Sequence, residues 1–174
     1  MVDTLGITLY STALGHYVDL MAVVGAKINV DLKNSNEYHI KGTYKNLNVY
    51  VEPAFIHIEG SLPKYCYGSN LITLSRSEPG LIIDQLSREL GLPLQEAVIT
   101  RVDIAANIEV DNAPRSYYPS LGILGKFDRI VRCGSLYYEQ KWCKLCFYDK
   151  IAEAKHRNDP YLTDELLRTN LLRY

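Results

Sequence analysis

The sequence contains no apolar run long enough to span a bilayer, and residues 1–4 lack the basic start and apolar core of a signal peptide. These absences predict a cytoplasmic protein without a membrane partner. Without an export signal, the four cysteines are expected to be reduced thiols. The formal net charge of -1 provides no overall signature of a nucleic-acid binder, although net charge averages over all faces and leaves room for a local basic groove.

Phenylalanine and tryptophan are scarce, with three and one, whereas there are 14 tyrosines. A tyrosine ring with its polar tip suits half-buried sheet surfaces and base-stacking surfaces equally well, so the excess of tyrosine does not distinguish between these two roles. A length of 174 residues with 47% apolar content predicts one globular domain over residues 1–174 with a proper core.

The periodicity of apolar residues predicts an alternation of short strands and a few helices. The predicted strands are 5–10, 27–33, 37–44, 47–51, 54–60, 99–110, 127–133, 135–140 and 144–148, with a last strand starting at 171. The predicted helices are 11–24, 79–90, 111–121, 149–155 and 163–167. In helix 79–90, the expected buried stripe is Leu81, Ile82, Leu86 and Leu90, and Gly91 closes the helix.

The strand around residues 99–108 has two different faces. Its apolar face comprises Val102, Ile104, Ala106 and Ile108, and its polar face comprises Arg101, Asp103, Ala105 and Asn107. A strand so rich in β-branched residues is expected inside a sheet, with helices covering its apolar face. The carboxylate of Asp103 then requires a cation or hydrogen-bond donors around it.

On strand 54–60, His57 and Glu59 lie two residues apart, so their side chains share a face and can both reach one metal ion. The alternative interpretation is an exposed alternating strand with two outward polar residues. The spacing alone favours that alternative, because His-x-Glu occurs often by chance.

Residues 60–71 mix glycine, proline, serine and asparagine with one lysine and two tyrosines. Serine, asparagine and backbone amides can hold phosphate oxygens, and tyrosine can stack on bases. The candidate nucleic-acid contacts are Ser61, Lys64, Tyr67 and Asn70, together with Arg101 and Lys144 from the later strands. The alternative is a surface loop of turn residues, which composition does not exclude.

On the strand 144–148, Lys144, Cys146 and Tyr148 share a face, which Lys150 is expected to extend; Tyr148 falls where the strand passes into a helix. Together with His57, Glu59 and Asp103, Tyr148 and Lys150 predict a combined polar site. One histidine with one or two carboxylates suits Mg²⁺ or Mn²⁺. Such an ion polarises a scissile phosphate while the tyrosine hydroxyl attacks it, and the lysine stabilises the developing charge or lowers the tyrosine pKa. The competing interpretation is that Tyr148 is structural, like most of the other tyrosines.

Cys143 and Cys146 form a C-x-x-C sequence. On a strand, a spacing of three places the two sulfurs on opposite faces, so buried or half-buried thiols are favoured over a metal or redox site.

The order of four segments, 61–70, 100–105, 147–150 and 171–174, resembles the phage and plasmid replication initiators of the filamentous-phage gene II type. These are similar in turn to plasmid rolling-circle initiators with an Arg-hydrophobic-Asp-hydrophobic-Ala strand and a Tyr-x-Lys segment. The resemblance runs from about residue 55 to the C-terminus. It implies an α+β fold in which helices pack on one face of an antiparallel β-sheet, like that of rolling-circle (HUH) endonucleases.

The resemblance also implies an activity: nicking one DNA strand at an origin, forming a 5′-phosphotyrosine link, leaving a 3′-OH for the polymerase, and later rejoining the ends. It makes Asp103 a metal ligand and Tyr148 the nucleophile, with Lys150 beside it; the roles of His57 and Glu59 rest more on the shared strand face. The expected cofactor is Mg²⁺ or Mn²⁺. The expected partners are single-stranded or origin DNA and a host replication helicase or polymerase, in the cytoplasm of a bacterium hosting the phage or plasmid.

Two departures from the family pattern bear on this hypothesis. Related initiators often carry paired histidines around one hydrophobic residue, where this chain has His57 and Glu59. In the family a glutamate usually follows the Leu-Arg-Tyr run, whereas this sequence ends at Tyr174, which suggests a fragment or a shortened form with an incomplete metal site. The alternative function is therefore a non-catalytic DNA-binding or regulatory domain of the same fold, and a chance match on an unrelated α+β domain is the third.

Overall fold

The computed structural model describes residues 1–14 and 19–174. The chain forms two compact units, Met1–Ile104 and Ala105–Tyr174. The expectation that residues 1–174 act as one domain stays a prediction.

The first unit contains a six-stranded antiparallel sheet. Its strands are β1 (Val2–Tyr10), β2 (Asn29–Val30), β3 (Ile40–Tyr44), β4 (Leu47–Glu52), β5 (Phe55–Ser61) and β6 (Val98–Ile104). Their order across the sheet is β2-β3-β4-β5-β1-β6. Each of these strands was predicted, although β2 is much shorter than the expected 27–33 and β1 begins three residues earlier than expected. The expected strand 99–110 was wrong in its extent, because β6 ends at Ile104 and a separate strand follows in the second unit.

Three α-helices cover one face of this sheet: α1 (Leu20–Gly25), α2 (Leu62–Tyr67) and α3 (Glu78–Leu90). Their apolar side chains share one buried cluster with alternate residues of the strands; that cluster includes Ile7, Leu9, Val49, Ile56, Ile58, Leu20, Val24, Leu62, Leu86 and Leu90. The α+β class, the antiparallel pairing and the helices on one face of the sheet are therefore confirmed. The predicted helix 11–24 is a 3-10 helix, Ser11–Leu14, followed by α1, and its residues 15–18 lie outside the described part of the chain.

Helix α3 matches its prediction, and Gly91 ends it with a left-handed φ of 71°. Its buried stripe was predicted incorrectly at one position, because Leu81 is 64% exposed whereas Ile82, Leu86 and Leu90 are buried. Positions 82, 86 and 90 follow one another at a spacing of four. At 3.6 residues per turn, position 81 lies on the far side of the helix from them.

The segment 60–71 contains helix α2 rather than only a surface loop. The Ser61 hydroxyl accepts the Lys64 amide at 3.4 Å, and Gly68 ends the helix in a left-handed conformation with φ 76°. Leu62 and Asn70 are buried, at 2% and 8% exposure. The predicted loop is thus largely part of the packed structure.

Strand β6 lies at the edge of the first sheet, so its expected interior position was wrong. Among the described residues it pairs with β1 alone. The expected cover of its apolar face was also wrong, since Val102 is 47% and Ile104 66% exposed. A β-branched composition favours a strand, but an edge strand and a central strand can share it.

The second unit contains a five-stranded antiparallel sheet and one α-helix. Its strands are β7 (Asn107–Glu109), β8 (Asp128–Arg132), β9 (Ser135–Gln140), β10 (Cys143–Asp149) and β11 (Leu171–Arg173), in the order β7-β11-β10-β9-β8. The helix is α4 (Lys150–His156). Strand β11, at the end of the sequence, therefore occupies an interior position between β7 and β10. The core of the unit includes Tyr118, Leu136, Tyr138 and Leu172.

Two predicted helices of this unit are shorter and tighter than expected. The segment 111–121 forms a 3-10 helix, Pro114–Ser120, with Pro119 inside it. Proline lacks the amide donor that a longer α-helix requires at that position. The helix expected at 163–167 is only a 3-10 turn, Leu166–Arg168. In the part of the chain that the structure describes, no helix is long and apolar enough to cross a membrane.

Candidate functional site

The face of the first sheet opposite its core carries polar side chains from three adjacent strands. On this open face, defined by Thr8, His57, Glu59 and Arg101, the strand register pairs Thr8 with His57 and pairs Gly6 with both Glu59 and Arg101. The period of two correctly placed His57 and Glu59 on one face. The register between strands, which no sequence pattern indicated, brings Arg101 into reach of both strands.

Arg101 lies between two carboxylates. Its Nη1 donates to Glu59 Oε1 at 2.7 Å, while Nε and Nη2 donate to the two oxygens of Asp103 at 2.9 and 2.6 Å. The hydrogen bonds to Asp103, followed by the charges of Asp103 and Glu59, raise the pKa of the guanidinium despite its partial burial. The cation expected beside Asp103 is therefore Arg101, which lies two residues earlier on the same strand.

Gly6 makes the approach across the middle strand possible. A Cβ at this position would lie 3.0 Å from the Arg101 Cβ and 3.3 Å from Glu59 Oε2, which is closer than ordinary van der Waals contact. Gly6 was not predicted as part of the site. A glycine inside a strand is itself a mark of close approach, and would have identified it.

His57 is held from one side and faces Glu59 on the other. Its Nδ1 lies 2.9 Å from the Thr8 hydroxyl, and its Nε2 lies 3.6 Å from Glu59 Oε2. Thr8 is only 7% exposed and was not foreseen as part of the site. The bond to Thr8 fixes the ring so that Nε2 points toward the carboxylate.

The donor chemistry of His57 and Glu59 fits a divalent cation, since an imidazole nitrogen and a carboxylate oxygen already face each other. Two carboxylates against one guanidinium also leave this cluster with an excess of negative charge. Asp103, however, has both oxygens engaged by Arg101. Within the described residues, no three histidine, cysteine or carboxylate side chains are gathered closely enough to hold an ion. The role of Asp103 as a ligand stays a prediction.

Tyr148 belongs to the second unit, at the junction expected from the sequence. It is half-buried, stands next to the end of β10 and pairs in register with Arg173 of β11. The following residue, Asp149, caps α4 by accepting the Ala152 amide at 2.9 Å. The chain therefore passes directly from strand to helix after Tyr148, as predicted.

Lys150 is the first residue of α4 and has no exposed surface. Its ammonium donates to Glu153 Oε2 at 2.5 Å. Lys150 lies beyond the strand, since β10 ends at Asp149, and its sharing of a face with Tyr148 stays a prediction. Its chemical role stays a prediction, as does the meeting of Tyr148 and Lys150 with the residues of the first unit.

The six candidate nucleic-acid contacts have different surroundings. Ser61 caps α2, Asn70 is buried, and the Tyr67 hydroxyl donates to the Glu78 carboxylate. Arg101 is held in the ion pairs above, and Lys64 is half-buried. Lys144 pairs with Glu139 at 2.7 Å and lies 4.5 Å from the centre of the Tyr137 ring. Their contacts with nucleic acid stay predictions.

The C-x-x-C cysteines differ in exposure. Cys146 is half-buried, and burial raises the pKa of its thiol. Cys143 is exposed, against the expectation that both would be buried or half-buried, because it opens strand β10 at the hairpin tip.

The chain was compared with models of protein families, with curated proteins and with solved structures. A family model that describes the N-terminal part of a phage replication-associated protein matches residues 1–174. No curated protein and no solved structure matches the chain. The family match spans both units.

Proposed function

We propose that the chain nicks and rejoins one DNA strand at an origin. The chain belongs to the family of phage replication-associated proteins of the gene II type, whose N-terminal part it matches. It therefore has a role in the initiation of replication. The observation that supports this chemistry is the pair of His57 and Glu59, whose imidazole nitrogen and carboxylate oxygen face each other on the open sheet face. These two ligand atoms offer a starting point for a cation that would offset the negative charge of a phosphodiester.

In the proposed reaction, the phenolic oxygen of Tyr148 attacks the scissile phosphorus. A bond forms from that oxygen to phosphorus, the bond from phosphorus to O3′ breaks, the tyrosine loses its proton and the released 3′ oxygen gains one. The product is a 5′-phosphotyrosine link and a 3′-OH, and attack by that 3′-OH reverses the step and rejoins the strand. The covalent link conserves the energy of the phosphodiester.

His57 and Glu59 would hold Mg²⁺ or Mn²⁺, with Asp103 as the third ligand, and the bound ion supplies Lewis-acid polarisation of the phosphate. Thr8 keeps the His57 ring oriented, and Arg101, which engages both oxygens of Asp103, would have to release that carboxylate before it could bind the ion. Lys150 is assigned to stabilise charge that develops near the tyrosine oxygen.

The test uses circular single-stranded DNA of the replicon that encodes the chain, cut into overlapping fragments and incubated with the protein and Mn²⁺. Fragments labelled at the 3′ end should give a labelled protein band on a denaturing gel. Fragments labelled at the 5′ end should give a shorter free strand that a polymerase can extend. Tyr148→Phe should abolish the labelled protein while binding is retained. Tyr161→Phe is the matched control, because Tyr161 lies in the same unit and is 46% exposed, and this variant should still give the labelled protein band.

A labelled protein band that persists in Tyr148→Phe would show that another residue is the nucleophile. Chelation with EDTA and the Asp103→Asn substitution should each reduce the band strongly. An unchanged yield in both would remove the metal from the mechanism.

The second candidate is a non-catalytic DNA-binding or regulatory domain. The engagement of both Asp103 oxygens by Arg101 favours it, because a ligand so paired is not presented to a metal. This function predicts DNA binding without covalent attachment, and binding that Asp103→Asn leaves nearly unchanged. Absence of DNA binding would overturn both candidates.

A further inference from the structure

Four ring side chains form a continuous row across the open face of the first sheet. The centroids of Tyr10 and Phe55 lie 6.2 Å apart, those of Phe55 and Tyr50 5.9 Å, and those of Tyr50 and His39 5.6 Å. We call these four residues the aromatic row. It crosses from the end of β1 through β5 and β4 to the residue preceding β3, and the Lys41 ammonium lies 5.7 Å from the centre of the Tyr50 ring.

The aromatic row borders the candidate site directly. Tyr50 pairs in register with His57 on one side and with Lys41 on the other. A groove of about 550 Å³ lies on this part of the face, and its lining includes Lys41, Thr43, Asn48, Tyr50 and His57. The groove thus runs from the aromatic row to the histidine that faces Glu59.

We propose that the aromatic row is a stacking platform for the bases of single-stranded DNA, which would lead the strand through the groove to His57 and Glu59. This proposal rests on the function proposed above, because it names how the same face takes up its substrate. Aromatic side chains on an open sheet are a known means of holding unpaired bases, and stacking of this kind tolerates any base sequence.

The charges of this face indicate that stacking, rather than ion pairing, supplies most of the affinity. Of the described residues, Lys41 is the cation that lies over a ring of the row, whereas Glu52 accepts a hydrogen bond from the Tyr50 hydroxyl and Asp31 lines the groove. Each phosphate neutralised on a single strand contributes a slope of about −0.7 to the dependence of log affinity on log salt. Binding through one lysine therefore predicts a shallow slope, near −1 and far from that of a basic groove.

Cross-strand aromatic pairs also stabilise sheets, so the experiment must separate stacking on DNA from stability of the fold. Binding of fluorescein-labelled oligo(dT) to the full chain is measured by fluorescence anisotropy. Tyr50→Leu keeps an apolar side chain, and Tyr10→Ala alters the end of the row, where the ring is 48% exposed. Each should weaken binding by about tenfold. Tyr38→Ala, at a tyrosine 70% exposed and outside the row, is the matched control and should not change it.

The decisive measurement replaces bases with abasic nucleotides in the DNA rather than residues in the protein. The unaltered chain should lose more affinity for abasic DNA than Tyr50→Leu loses for oligo(dT), because every ring of the row then lacks a base. On abasic DNA, Tyr50→Leu should bind almost as well as the unaltered chain, because the Tyr50 ring then has no base to stack on. Equal affinity of the unaltered chain for abasic DNA and oligo(dT) would overturn the platform, as would losses that simply add, or an absence of binding to oligo(dT). Because the unaltered chain carries this test, it holds even where a variant folds poorly.

The platform and the nicking activity can fail independently. Stacking-dependent binding without a covalent product would retain the platform and overturn the proposed enzyme. A covalent product that Tyr148→Phe abolishes, with binding insensitive to Tyr50→Leu, would retain the enzyme and overturn the platform.

Discussion

The stability of the first unit is predicted to depend on one carboxylate, Glu89 of α3. Its oxygens accept hydrogen bonds from Tyr65 at 2.5 Å, from Tyr44 and Gln85 at 2.8 Å, and from Lys45 at 3.2 Å. The carboxylate therefore ties α3 to α2 and to the turn between β3 and β4. Burial alone would raise the pKa of Glu89, but these hydrogen bonds outweigh it and lower the pKa to about 2.

The magnitude follows from the difference between that pKa and the ordinary value of 4.5. At about 1.4 kcal/mol per pKa unit, the ionised carboxylate contributes about 3 kcal/mol to the free energy of unfolding at neutral pH. Because the pKa is lowered in the folded state, this stability is complete above the unfolded pKa and is lost as the pH falls toward 2. About 1 kcal/mol should be lost at pH 4 and about 2 kcal/mol at pH 3.

The assay is urea unfolding followed by far-UV circular dichroism from pH 7 to pH 3, for the unaltered chain and for Glu89→Gln. The difference in unfolding free energy between them should be about 2–3 kcal/mol at pH 7 and should shrink as the pH falls. Glu96→Gln, at an exposed carboxylate, is the control and should have little effect at any pH. A difference that stays constant between pH 7 and pH 3 would refute the reasoning, since the charge of Glu89 would then contribute nothing.

Three further predictions test the packing around the sites. Gly6→Ala should destabilise the chain by about 1–3 kcal/mol in urea unfolding, because the added Cβ would press on the neighbouring strands. Gly80→Ala, whose added Cβ would have nothing within 4 Å, should instead stabilise α3 by about 0.5–1 kcal/mol. Equal effects of the two substitutions would contradict this reasoning. Lys150→Met should lower the free energy of unfolding by less than about 2 kcal/mol, since Glu153 keeps its second ion pair, with Arg157. The same substitution should reduce the yield of the covalent DNA product. An unchanged yield would exclude a catalytic role for Lys150. Ser61→Ala should cost about 1 kcal/mol in thermal unfolding through loss of the α2 cap, while an unchanged Tm would show that the cap contributes nothing.

The helices and strands whose signals lie within one short segment of the sequence were the parts of this fold that could be predicted. Helix α3 was found because its apolar residues recur at helical spacing and Gly91 follows them. Helix α2 was missed although its signature was present: Ser61 as a cap, Pro63 in the first turn and Gly68 after the last. The abundance of turn-forming residues in that segment outweighed the order in which they occur, and order is what distinguishes a capped helix from a loop.

In the candidate site, the features that depend on one strand were predicted, whereas those that depend on the pairing of several strands were not. A period of two placed His57 and Glu59 on one face without knowledge of any other strand. The contact of Arg101 with Glu59 depends on the register of two strand pairs joined through β1, and register is a property of the assembled sheet. The edge position of β6 could not be predicted for the same reason.

The arrangement around Arg101 joins the structural and the functional arguments. A guanidinium that bridges two carboxylates neutralises in advance the charge that a divalent cation would neutralise, so Arg101 and the ion compete for Asp103. His57 and Glu59 are less constrained, because only one Glu59 oxygen faces Arg101 while the other faces the imidazole. Binding of a cation is therefore expected to begin at His57 and Glu59, and recruitment of Asp103 requires Arg101 to turn away. In the proposed reaction, a phosphate placed on the open face would provide the guanidinium with a replacement anion, so DNA binding and completion of the ligand set would reinforce each other.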